Sequence, residues 1–131
     1  MKLLTHNFLS SAFLKNVKIG YPLTLKVTSA EVHLQIVESE FDPDFTKRML
    51  TKVEFPALVD AAKAVATVKP IEIPTEKPAD WEQNETFLNQ VYRLLNCVDV
   101  TAGELVCPET RRVFSIRDGI PNMLANEDEV D

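Results

Sequence analysis

The chain has 131 residues, 45% of them hydrophobic and 26% charged, with a formal net charge of −6. That length suits one compact domain, or a small domain carrying an insertion, with a modest core. No stretch approaches the roughly 20 apolar residues of a membrane span, and an acidic chain gains nothing from phosphate counterion release, which argues against autonomous nucleic-acid binding.

Met1 to Phe13 mixes Lys2, His6 and Asn7 into its apolar run, so no signal peptide is expected and the protein should be soluble and intracellular. Lys2 to Thr5 reads as a short strand. Asn7 then reads as a helix cap before one turn through Phe13. Gly20-Tyr21-Pro22 marks a break. From Leu23 to Val37 apolar and polar residues alternate, giving one long or interrupted strand with a single buried face.

The period changes at Asp42-Pro43, which predicts a helix with Asp as N-cap and Pro in its first turn. Phe41, Phe45, Met49 and Val53 follow at steps of four. Pro56 opens a second helix lined by Leu58, Val59, Ala62 and Val65. Three prolines between Lys69 and Pro78 favour an extended connection. Asn84 caps a third helix, whose apolar stripe is Phe87, Leu88, Val91, Leu94, Leu95 and Val98. The period of two returns near Val98. Leu105 and Cys107 lie on one strand, Phe114 and Ile116 on the next, with Pro108 to Arg111 as the turn. Asp118-Gly119 is a two-residue turn signal, followed by a short apolar segment from Ile120 to Leu124.

The two β parts lie at opposite ends of the chain, and neither can bury a face alone. The expected fold is therefore α+β: a small antiparallel β unit formed by both chain ends, with a helical lobe inserted. The boundaries are residues 1–37 and 98–125 for the discontinuous β unit, 38–97 for the helical insert, and 126–131 for the tail. Glu127, Asp128, Glu129 and Asp131 make that tail acidic, and a solvated, mobile end is expected; without these four, the body carries 16 acidic and 14 basic residues.

The three glycines, Gly20, Gly103 and Gly119, are isolated, so no Gly-rich phosphate-binding loop exists. Cys97 and Cys107 lack metal-ligand spacing with His6, His33 or each other, and read as buried free thiols. His33 sits on the polar face of its strand. Asp42 and Asp44 suit the start of a helix better than acid–base work. Arg111, Arg112 and Arg117 form a basic group on the hairpin, usually a solvated face and otherwise a partner contact. No catalytic, cofactor-binding or metal-ligating residue is assigned.

The positive feature is Gly119-Ile120-Pro121-Asn122-Met123-Leu124. Pro121 cannot donate to a ladder, which places this segment at a sheet edge. Such an edge folds back onto its own core, or adds to another protein's sheet with Met123 and Leu124 as anchors.

Four motifs, in order, carry a resemblance: Met1-Lys2-Leu3-Leu4-Thr5-His6-Asn7-Phe8-Leu9-Ser10-Ser11, Phe41-Asp42-Pro43-Asp44-Phe45, Gly103-Glu104-Leu105-Val106-Cys107-Pro108-Glu109-Thr110 and Gly119-Ile120-Pro121-Asn122-Met123-Leu124. Together they resemble the tRNA methyltransferase 112 subunit family, the multifunctional methyltransferase subunit of eukaryotes. The resemblance implies a zinc-ribbon-like β unit and a non-catalytic activator that binds several S-adenosylmethionine-dependent methyltransferases as mutually exclusive heterodimers. Those enzymes act on tRNA, ribosomal RNA and translation release factor. S-adenosylmethionine would be bound by the partner, and the protein would be cytoplasmic and nuclear. The expected contacts are Thr5, Asn7, Phe8, Leu9, Phe45, Ile120, Pro121, Asn122, Met123 and Leu124. Some relatives hold zinc with four cysteines; the matching positions here are Ser11, Asn16, Cys107 and Thr110, which resembles the zinc-free branch. Two rival functions are a small nucleic-acid-binding ribbon module and a small enzyme using His6 or His33 with a carboxylate.

Overall fold

The structure is a computed structural model that describes residues 1–27, 34–67, 71, 73, 74, 76–125 and 127–129. His33 and most of the proline-rich connection lie outside the described residues.

The helical insert follows its capping signals. Helix α2 (Pro43–Leu50) starts where the Asp42 side chain accepts the Phe45 N–H at 3.0 Å, with Pro43 in the first turn. Helix α3 (Phe55–Ala66) carries Pro56 in its first turn and buries Leu58, Val59, Ala62 and Val65. Helix α4 (Glu85–Tyr92) starts where Asn84 accepts the Phe87 N–H at 3.1 Å. It runs into a π-turn at Arg93–Cys97 that buries Leu94, Leu95 and Cys97.

The first segment departs from the sequence reading. Leu3–Phe8 is a helix, α1, not a strand followed by a cap. Only Lys2 keeps β character, as an isolated bridge to Asp99. Asn7 lies within α1, and it is buried with Leu3 and His6 on one face. Two of those three residues are polar, so hydrophobicity alone hides the helical period.

Strands β1 (Thr24–Lys26) and β2 (Leu34–Ile36) come from the alternating segment, but they enter different sheets. Strands β3 (Val98–Val100), β4 (Gly103–Val106), β5 (Val113–Arg117) and β6 (Ile120–Pro121) follow α4. The four-stranded sheet has the order β1-β4-β5-β6, and the two-stranded sheet pairs β2 with β3. All pairs are antiparallel: Leu25 faces Leu105, Leu105 faces Phe114, and Leu34 faces Val100. Both sheets therefore join the N-terminal third of the chain to its C-terminal third.

The β5–β6 turn has Asp118 at φ 53° and Gly119 at φ 76°. Two successive positive φ values match the twist of a tight hairpin, and glycine adopts the second at no steric cost. Leu105, Phe114 and Ile116 are fully buried, and they share one cluster with Leu3 of α1, Leu58 and Val65 of α3 and Val91 of α4. Each such side chain contributes about 1.5–3 kcal/mol by burial. The helices and both sheets thus stand on one continuous core.

Candidate functional site

Helix α1 and strand β6, with the residues that directly follow each, carry all the sequence-predicted contact residues except Phe45. The backbone brings them together at their roots. An added Cβ on Gly119 would lie 3.3 Å from the Met1 nitrogen, so the turn that launches β6 rests on the residue that leads into α1. Within α1, Thr5 and Phe8 are three positions apart, both exposed, and share the face opposite Leu3, His6 and Asn7. Phe8 is 55% exposed, Ile120 68% and Leu124 79%. Asn122 is also exposed, while Leu9, Phe45, Pro121 and Met123 are half-buried, and Leu9 and Met123 pack against the core.

Asn7 is only 2% exposed. Its Nδ2 donates to the Glu54 carbonyl at 2.9 Å, and its Oδ1 accepts the Glu54 N–H at 2.9 Å. Tyr21 Oη donates to the Asn7 carbonyl at 2.7 Å. Glu54 precedes α3 and makes no side-chain cap of its own. Asn7 therefore positions α1 against the start of α3. A sequence reading has no way to find a partner 47 positions away.

Strand β6 is an edge, as Pro121 requires. Its inner side is paired: Ile116 faces Pro121, Arg117 faces Ile120, and the Asn122 N–H donates to the Ser115 carbonyl at 2.8 Å. Its outer side has no strand neighbour among the described residues.

At the opposite end of the four-stranded sheet, three of the four positions that the resemblance matches to zinc ligands, Ser11, Cys107 and Thr110, converge. Ser11 Oγ lies 3.0 Å from Cys107 Sγ, and the Thr110 N–H donates to the same sulfur at 3.4 Å. Asn16 lines the neighbouring cleft with Thr110. One thiol, two hydroxyls and an amide do not fit a structural zinc ion, which takes four thiolate or imidazole donors. Burial pushes the Cys107 thiol up, but hydrogen bonds from Ser11, Thr110 and the Glu109 backbone outweigh it and lower its pKa from 9.0 to about 7.

A second tie spans the same loop. The Glu109 carboxylate accepts the N–H groups of Lys18, Ile19 and Gly20 at 3.0, 3.0 and 2.6 Å. Those donors hold its pKa below the usual carboxylate range. Gly20 has φ 65°, and a Cβ there would meet the Ser11 and Ala12 backbone at 2.7 Å. Only glycine lets the loop close onto Ser11 in this conformation. The sequence reading missed this clamp, because its two halves are about 90 residues apart.

His6 is 2% exposed, and its Nε2 lies 2.7 Å from the Leu23 carbonyl. A carbonyl only accepts, so Nε2 carries the proton and Nδ1 is a lone pair, with no partner among the described residues. Burial lowers the His6 pKa, against the opposing effect of the Leu23 bond. His6 and Asp60 line a cavity of about 260 Å³ between α1, β1 and α3. That gives the enzyme reading a histidine and a carboxylate in one cavity, but an imidazole whose Nε2 is committed to the backbone.

The tail also departs from expectation. Glu129 reaches Arg112 at 2.6 Å, within a 3₁₀ turn at Glu127–Glu129. No helix among the described residues is long and apolar enough to cross a membrane.

Comparison with known proteins draws these features together. The Trm112p-like protein family model matches residues 2–119. A multifunctional methyltransferase subunit TRM112-like protein of Caenorhabditis elegans is 50% identical over 127 residues, 95% of each chain. The Mus musculus protein of the same description is 47% identical over 131 residues, covering 100% of this chain and 99% of that one. In Arabidopsis thaliana, multifunctional methyltransferase subunit TRM112 homolog A is 40% identical, over 99% of this chain and 100% of that one. The fold resembles a chain of the solved E. cuniculi Mtq2–Trm112 complex, described as responsible for methylation of the eRF1 translation termination factor. That likeness has a TM-score of 0.58 at 15% identity and covers 95% of both chains. On the family match and these full-length relatives, the chain belongs to the Trm112p-like family.

Proposed function

We propose that this protein is a non-catalytic activating and stabilising subunit of several S-adenosylmethionine-dependent methyltransferases, which it binds one at a time as heterodimers. Their substrates are tRNA, ribosomal RNA and translation release factor. The protein carries no S-adenosylmethionine site of its own; the partner binds that cofactor. It works in the cytoplasm and nucleus.

The observation that carries this reading is the β6 edge. Ile120 and Leu124 expose large apolar side chains beside an unpaired strand edge, and Phe8 adds an exposed ring on α1. An edge of this kind supplies main-chain hydrogen bonds to an added strand, while alternate side chains fill pockets on the partner. Covering such a patch stabilises whichever enzyme presents the matching surface, because a ligand that binds only the folded form raises apparent stability. Co-expression with a candidate methyltransferase tests the proposal. The enzyme should be recovered as a stoichiometric complex, with a higher melting midpoint and more methyl transfer than the enzyme alone. An enzyme that is equally stable and active without this chain would contradict it.

A further inference from the structure

A second surface lies between the loop at Lys15 and the β4–β5 turn, next to the end of the segment that follows β6, where Arg112 Nη2 donates to the Leu124 carbonyl at 3.5 Å. Lys15, Asn16, Arg111 and Arg112 line a cleft of about 370 Å³, together with Asp128 and Glu129 of the tail. Glu129 Oε2 lies 2.6 Å from Arg112 Nε, and its Oε1 lies 3.4 Å from Arg112 Nη2. The Glu129 carbonyl accepts the Lys15 N–H at 2.6 Å. The Arg112 guanidinium sits 5.0 Å from the centre of the Phe114 ring, and Phe114 packs against Phe13 at 5.9 Å. Phe13 is 39% exposed.

We propose that this groove is a binding site for a single-stranded polynucleotide, and that Asp128 and Glu129 of the tail occupy it as a built-in competitor. A guanidinium fork takes a carboxylate or a phosphodiester in the same two-pronged geometry, so Glu129 stands where a phosphate oxygen pair would. The adjacent Asp128 and Glu129 carboxylates imitate neighbouring charges of a phosphate backbone. The exposed Phe13 ring, which packs on the Phe114 ring that Arg112 covers, selects a polynucleotide over an acidic peptide. Sequence-tolerant strand binders combine a cationic groove with aromatic faces on which bases stack, and an acidic peptide has no base to offer. The tail competes intramolecularly, at the high effective concentration a short tether gives. An acidic net charge and a seated tail then keep the isolated chain from binding, and release of the tail uncovers Lys15, Arg111 and Arg112. This inference does not rest on the β6-edge reading, although the two surfaces adjoin where Arg112 meets the Leu124 carbonyl.

The test is fluorescence anisotropy with a labelled ten-nucleotide oligouridylate, using the full chain at low and moderate salt. Asp128→Asn with Glu129→Gln should tighten binding about tenfold and steepen its salt dependence by about two to three phosphate contacts. Arg112→Gln, or Arg111→Gln at an exposed position, should remove most of that gain in the same background. Phe13→Ala should weaken it further. Glu76→Gln with Glu82→Gln changes the net charge equally at exposed positions remote from the groove, and should alter binding by less than about twofold. An equal gain from both pairs would overturn the proposal, as would a gain that survives both arginine substitutions. Displacement by oligoglutamate as effective as by unlabelled oligouridylate would replace the polynucleotide with an acidic peptide. Melting midpoints for each variant identify any that fail to fold.

Discussion

Two buried titratable groups make stability rise with pH, each over its own window. The Cys107 thiol has a folded pKa of about 7 against an ordinary 9.0, because donors from Ser11, Thr110 and the Glu109 backbone favour the thiolate. A depressed acid contributes stability that is fully present above the unfolded value and is lost as pH falls through the folded one. Stability should therefore rise between about pH 7 and pH 9. In a Cys97→Ser background, thiolate absorbance at 240 nm should titrate near pH 7, and Ser11→Ala should move the midpoint upward. A midpoint near 9.0 in both would contradict this network.

His6 acts at lower pH. Its folded pKa lies below 6.5, so the unfolded chain binds its proton first. Stability should fall as the solution is acidified below about pH 6.5, and substitution of His6 by Gln should flatten that limb of the melting-midpoint profile. Asp60 lines the same cavity and is the carboxylate that would face an imidazolium there. Composition alone does not mark His6 as buried, because its surroundings, the Leu23 carbonyl and the first turns of α3, are remote in sequence. Asp42 and Asn84, by contrast, are legible at once. Their partners lie three residues ahead, so cap and sequence share one scale.

At the scale of elements, local periodicity locates α2, α3, α4 and the β4–β5 hairpin, whose faces are apolar. It misplaces α1, whose buried face is Leu3, His6 and Asn7. It also merges β1 and β2, which one alternating pattern spans although they pair with different strands, Thr24 with Val106 and Leu34 with Val100. The helix caps should each be worth about 1 kcal/mol, so Asp42→Ala should lower the denaturation free energy by that amount, measured in urea. The β6 edge separates two kinds of residue. Ile120 and Leu124 are exposed, and aspartate there should change stability by less than about 0.5 kcal/mol. Met123 packs against the core, so Met123→Asp should destabilise the free protein measurably. Comparable losses of stability at all three positions would show that the segment folds inward instead of presenting an edge.

At the scale of the whole molecule, the chain ends depend on each other. β1 reaches the four-stranded sheet through β4, and the two-stranded sheet joins β2 to β3 across the helical insert. That closure is legible in the sequence, since neither β part could bury a face alone. The seated tail and the Glu109 clamp are not legible. Each joins groups remote in sequence, and nothing in a charge pattern names a partner. The result is a body whose core is continuous from helices to sheets, and whose largest exposed apolar side chains include those on α1 and β6. The most direct test of this account is the affinity of a partner methyltransferase for the Ile120→Asp, Leu124→Asp double variant, measured by calorimetry. With the free variant's melting midpoint unchanged, binding should weaken by at least about a hundredfold, the loss expected when buried anchors are replaced by charge. Unaltered affinity would contradict docking through the β6 edge.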